Sequence, residues 1–229
     1  MRVRALAGAT CLLFAFTFNA TAATITEGFT FTVASDGSNP PVGDHFHSNT
    51  GGSFGNPAGK AEVGSFSSEE TRGLSEYNLS GLSSATSAFV TFRVFDLGGL
   101  FAGTNNFQYI GVIAVDAYNG NNAEDISDFE AVSTGSVGTF NTTPLSVGDL
   151  LSSDITDIFN AALANGDVSL GIRLAIADTP NGGAVTFDSF RLTTDDLTSI
   201  VPVPAALPLL LAGLVGMGLV ARRKTKYTA

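Results

Sequence analysis

The sequence has one cysteine, no tryptophan, two histidines and only 11 lysines and arginines among 229 residues. Each shortage removes a class of chemistry. Cys11 lies in the N-terminal apolar stretch and precedes most of it, so it is not placed as a lipoprotein cysteine, and the rest of the chain can form no disulfide. His45 and His47 leave little material for a nucleophile–base triad. No G-x-S-x-G, H-E-x-x-H, P-loop or dinucleotide fingerprint occurs. Positive charge is scarce where it would matter. All 21 acidic residues fall between Glu27 and Asp196, where only Lys60, Arg72, Arg93, Arg173 and Arg191 oppose them, a formal balance of −16. Such a body repels nucleic-acid phosphates and anionic lipid, so no nucleic-acid partner is expected. Charged residues are only 14% of the chain and hydrophobic ones 44%, which argues against disorder.

The 26 glycines and 18 phenylalanines, with many Ser, Thr and Asn, suit short strands joined by turns. Arg2 and Arg4, the apolar run Ala5–Phe18 and the small residues Ala20 and Ala22 predict a secretory signal peptide over residues 1–22. Residues 23–192 are expected to form one ectodomain and residues 193–200 a polar linker. Ile25, Phe29, Phe31 and Val33 open it with a strand, and Ser35–Gly59 is a long loop. Val90, Phe92 and Val94 alternate with Thr91 and Arg93, as a half-buried strand requires. A central strand is predicted over Phe107–Ala117, with Phe107, Tyr109, Ile113 and Val115 on one face. Ile155, Ile158, Phe159, Ala162 and Leu163 have helical spacing, so Ser153–Ala164 is the one good soluble helix, capped by Ser153 or Asp154 and ended by Asn165-Gly166. A strand follows with Val168, Leu170, Ile172, Leu174 and Ile176 inward and Arg173 outward. Val185 and Phe187 share one parity, Phe190 and Leu192 the other, so a bulge is predicted near Asp188-Ser189. The fold class is therefore all-β, an antiparallel β-sandwich with one short helix.

Val201-Pro202-Val203-Pro204-Ala205 cannot be helix, because each proline lacks an N–H and drives the preceding residue toward extended backbone. Residues 205–221 carry no charge, and Arg222, Arg223, Lys224 and Lys226 follow at once. As a helix, about 17 residues reach roughly 25 Å, just short of a ~30 Å hydrocarbon core. Extended proline motif, short apolar helix and basic stop together resemble the PEP-CTERM sorting tail in its VPxPA form, with Val203 where the best-known form has Glu. The resemblance implies an exosortase as processing partner, an inner-membrane-anchored precursor of a Gram-negative bacterium, and delivery to the cell surface or extracellular matrix. A plain C-terminal anchor is the competing expectation. Both place the basic residues in the cytoplasm.

The body also resembles, over Thr71 to Leu192, the jelly-roll domains called DNRLRE or disaggregatase-related, relatives of carbohydrate-binding modules. The matching phrases are Arg72 to Leu82, Ser84 to Phe92, Asp154 to Leu163 and Phe187-Asp188-Ser189-Phe190. This resemblance implies a jelly-roll-like sandwich. It leaves two function classes: a noncatalytic surface or matrix component, or a carbohydrate-binding module for exopolysaccharide.

No cofactor is required by any motif. Asp44 with His45 and His47 forms a His-x-His pair that lacks a third strong ligand, and both histidines are expected on a surface loop. Asn119–Asp128 is an acidic loop without the EF-hand pattern. Jelly rolls of the resembled kind often hold structural Ca²⁺, which makes Asp36, Asp44 and Glu62, and separately Glu124, Asp125 and Asp128, the candidate oxygen donors; the competing expectation is that they are solvated. Carboxylates are numerous enough to supply a glycosidase pair, but Glu69, Glu70 and Glu76 read as surface charges on an exposed edge, and no enzymatic activity is expected.

Overall fold

Alternation of apolar and polar residues, as in Phe29–Val33 and Val90–Val94, sets the strands, and several of them are buried on both faces. A computed structural model describes residues 23–47, 59–66, 69–100, 107–178 and 182–196. These residues form β1 (Thr24–Glu27), β2 (Phe29–Ser35), β3 (His45–Phe46), β4 (Ala61–Phe66), β5 (Glu69–Asn78), β6 (Phe89–Asp96), β7 (Val112–Gly120), β8 (Ser133–Asn141), β9 (Leu150–Asp154), α1 (Thr156–Asn165), β10 (Ser169–Ile176) and β11 (Gly183–Thr193). A 3₁₀ turn, Ile126–Phe129, lies between β7 and β8. The described residues are mostly antiparallel β with one short helix, as their periodicity predicts.

The strands make one continuous hydrogen-bonded sheet in the order β8-β7-β10-β5-β4-β11-β6-β9. β1 adds to β11, β2 to β5 and β3 to β2. The sheet curls until it is nearly a barrel, and β8 and β9 end the path. Every named strand pair is antiparallel. Strand directions therefore define two poles. Thr24 pairs with Thr193, and the Thr194 N–H donates to the Ala23 carbonyl at 3.0 Å. Both ends of the described body thus leave at the same pole, with α1 beside them.

The main core fills the curl. Phe92 stacks on Phe190 at 4.9 Å between centroids and meets Phe187 edge-on at 5.4 Å. Burying each such ring stabilises the fold by about 2–3 kcal/mol. Phe187 and Phe190 would face opposite ways on a regular strand. The β11–β6 register shifts between Asp188 and Arg191, and Ser189 takes φ 57°, so both rings turn inward. This is the bulge that the parity change predicts. A second, smaller core lies on the other side of β2 and β5, made by Phe31, Val33, Leu74, Tyr118 and Phe129.

Three expectations are corrected. β7 begins at Val112, and Phe107 and Ile110 are about half exposed, because 107–111 carries only a single bridge, Gln108 to Ala184. Val168 precedes β10 and is exposed. The long loop after Ser35 contains β3, which pairs with β2. The helix runs from Thr156 to Asn165, closed by Gly166 in the left-handed conformation at φ 76°.

Candidate functional site

Two clusters of buried ionisable groups stand out, and the first was missed by sequence reasoning. Glu76 was expected at an exposed edge, but β5 is flanked by β2 on one side and by β10 on the other, so its side chain is fully buried. Burial raises its pKa. Donors converge on it to compensate. Asn121 and Asn122 N–H groups reach Oε2 at 3.0 and 2.8 Å, the Ser169 hydroxyl reaches Oε2 at 2.9 Å, and the Tyr118 hydroxyl reaches Oε1 at 3.3 Å. Space for this is made by glycines. A Cβ on Gly120 would lie 2.4 Å from the Glu76 carboxylate, and one on Gly171 would lie 2.2 Å from the Tyr118 ring.

The 3₁₀ turn is clamped over the same face. Arg173 Nη1 donates to the carbonyls of Phe129 and Ala131 at 3.0 and 2.7 Å. Arg72 Nη1 donates to the Phe129 carbonyl at 2.7 Å, and its guanidinium lies 3.9 Å from the Phe129 ring centroid. Arg173, expected to point to solvent, is buried under this turn. Asp128 is buried too, and its Oδ2 accepts the Asp125 N–H at 3.2 Å. Burial first, then the negative charge of Glu76, pushes its pKa up to about 7. The acidic stretch Asn119–Asp128 is thus partly a lid on the sheet, whereas a solvated loop was expected.

The second cluster joins His47, Glu62 and Glu69. His47 Nδ1 lies 3.6 Å from Glu62 Oε2, and its Nε2 lies 3.6 Å from Glu69 Oε1. These contacts exceed hydrogen-bond length. Glu62 Oε2 accepts the Leu100 N–H at 3.0 Å, and Oε1 has no hydrogen-bond partner among the described residues. Burial raises the Glu62 pKa to about 7 and, with the charge of His45, lowers that of His47 to about 4. Near neutral pH the imidazole is uncharged and Glu62 is partly protonated. His47 is therefore not the surface histidine expected, while His45 stays exposed against Asp44.

The proposed calcium donors are not brought together as triplets. Asp44 Oδ2 accepts the Asp36 N–H at 2.8 Å and its other oxygen faces His45, whereas Glu62 faces Leu100 and His47. Asp125 accepts from Asn121, and Asp128 caps the 3₁₀ turn. Among the described residues no group of three or more His, Cys, Asp or Glu is placed to hold a metal ion. Both clusters chiefly fasten loops and hold protons near neutrality. The signal peptide, the sorting motif Val201–Ala205, the apolar run 205–221 and the basic stop Arg222, Arg223 and Lys224 lie outside the described residues. Among the described residues no helix is long and apolar enough to cross a membrane. No protein-family model and no curated protein matches the chain.

Proposed function

We propose that this protein is a noncatalytic surface or extracellular-matrix protein of a Gram-negative bacterium, exported by its signal peptide and delivered by exosortase-type sorting of its C-terminal tail. The observation that carries the reading is the succession in the sequence of Val201-Pro202-Val203-Pro204-Ala205, an uncharged apolar run and the cluster Arg222–Lys226. The position of the body's ends supports it. Ala23 and Thr194 are hydrogen-bonded neighbours, so a processed N-terminus and a membrane-directed tail leave from one pole and the opposite pole faces outward. We read the sheet as a flattened jelly-roll-like sandwich, with β8-β7-β10-β5-β2 and β4-β11-β6-β9 as its two layers.

The experiment is intact-mass measurement on protein from the native host. A mature form beginning near Ala23 and ending near Pro204 is expected. A form that retains Arg222 to Lys226 replaces sorting with a plain membrane anchor.

A further inference from the structure

Positive charge is scarce in this body, and its placement is uneven. Of the five cations between residues 23 and 196, Arg72 and Arg173 are committed to carbonyls of the 3₁₀ turn. The other three share one face. Residues directly opposite each other on antiparallel strands point to the same side of the sheet. Arg93 lies opposite Asp188 of β11 and Leu150 of β9, and its guanidinium donates to both Asp188 oxygens at 3.0 and 2.8 Å. Lys60, one residue before β4, continues the β11–β4 register beside Asp188, and its Nζ lies 4.3 Å from the Phe95 ring centroid. On the next rung Arg191 lies between Thr91 and Glu27, with its Nε 3.3 Å from the Glu27 carboxylate. Phe92, Phe187 and Phe190 turn into the main core, so the three cations occupy the outer side of β6, β11 and the start of β4. Arg93 and Arg191 side chains are each 46% exposed there. On these two rungs three cations stand against two carboxylates, in a body whose formal balance is −16.

The far side of the molecule carries the complement. Tyr77, Leu170 and Ile172 reach the same main core from β5 and β10, so the outer side of those strands lies across the core from Arg93. The 3₁₀ turn and the loop after β2 pack there together, with Gly43 against Ile126 and Phe129. Asp36, Asp44 and Glu130 are exposed on them, and Glu130 Oε2 accepts the Gly43 N–H at 3.0 Å. Glu124 and Asp125, half-buried, lead into the turn.

We infer that these two faces bind each other between copies: the Lys60–Arg93–Arg191 face of one molecule docks on the acidic 3₁₀-turn face of the next. Two bodies this acidic repel one another unless opposite signs meet, and this is the arrangement that brings them together. A two-fold contact of the cationic face with itself would set like charges against each other. The two faces lie on opposite sides of one core, so the contact is heterologous and repeats without closing. The ends of the described body leave at one pole and obstruct neither face, so the copies line up side by side with their ends pointing one way. Four strands span only about 14 Å at the usual spacing, so a single contact is weak and the row gains strength by repetition. The inference stands independently of how the tail is processed.

The test is zero-length carbodiimide cross-linking, which joins an amine to a carboxylate in direct contact. The full chain is held in a nonionic detergent, with ordinary and heavy-isotope-labelled protein in equal parts. Lys60 is the only lysine between residues 23 and 196, and Lys224 and Lys226 belong to the tail, so each link reports which part of the chain made it. Mixed-isotope peptides are expected that join Lys60 to Asp36, Asp44, Glu124, Asp125 or Glu130. Arg191→Glu, an exposed change that keeps Lys60, is expected to cut these mixed peptides about fivefold while the melting midpoint stays unchanged. Links from Lys60 confined to single-isotope peptides overturn the inference, as do mixed peptides undiminished in Arg191→Glu. Mixed peptides that join Lys60 to Glu27 or Asp188 overturn it in favour of a two-fold contact. Mixed peptides made only through Lys224 or Lys226 overturn it by assigning association to the tail.

Discussion

Asp128 shows what a single buried side chain does to the pH response. Its folded pKa is raised to about 7 from 3.8, so between those values the folded state holds a proton that the unfolded state has released. Its contribution is fully present below the unfolded value and is lost as pH rises through 7. Glu62, raised to about 7 from 4.5, acts in the same direction. His47, lowered to about 4 from 6.5, acts oppositely, adding stability as pH rises across that window. The three partly cancel between about 4.5 and 6.5, and only the two carboxyls act from there to about 7. The melting midpoint is therefore expected to be lower at pH 8 than at pH 6. Asp128→Asn should raise the pH 8 midpoint, with a gain of a few kcal/mol at about 1.4 kcal/mol per pKa unit. Thermal melts at both pH values check this, and a midpoint that climbs steadily from pH 6 to 8 would sink it. Gly171→Ala tests packing at the same cluster. Its Cβ would press on the Tyr118 ring, so a loss of about 2–3 kcal/mol in denaturant unfolding is expected. None of this was legible in the sequence. Glu76 gathers donors 42 to 93 residues away, and nothing local to Glu69-Glu70…Glu76 signals that β2 and β10 will enclose it.

Elements were easier to read, because their signals are local. The helix follows from the spacing of Ile155, Ile158, Phe159 and Ala162, and the bulge from the parity change after Phe187. Strand ends were harder. Phe107, Ile110 and Val168 extend an apolar pattern past the point where a neighbouring strand exists to cover them, and periodicity does not report where pairing stops. The start of α1 supplies a test. Asp154 Oδ1 accepts the Thr156 N–H at 2.8 Å and also the Thr156 hydroxyl, and these bonds hold its pKa below the usual value. Asp154→Ala is expected to cost about 1 kcal/mol, as loss of a helix-end acceptor does. Holding the Thr156 hydroxyl also serves the residue just before β6, because that hydroxyl accepts from the Ala88 N–H at 2.9 Å. Amide exchange at Ala88 should therefore speed up in that variant, and unchanged protection there would confine the effect to the helix.

For the whole molecule, the antiparallel class was legible from composition and alternation, whereas the joining of all strands into one nearly closed sheet was not. That closure rests on long-range pairings such as Val185 with Val63 and Leu170 with Asn119. β11 decides it. This strand comes last among those described, yet it lies inside the sheet, with β4 and β1 along one side and β6 along the other. A chain stopped after Ile176 is expected to lack a cooperative melting transition, and one that melts sharply would show that the remaining strands close without β11. The consequence is one of order. Until the segment up to Thr193 is available, β4 and β6 have no strand between them and the sheet stays incomplete. The final described strand acts as a keystone, set only after nearly all of the body is present. Under the proposed export, the body stays threadable until that strand arrives and resists being pulled back once it is in place.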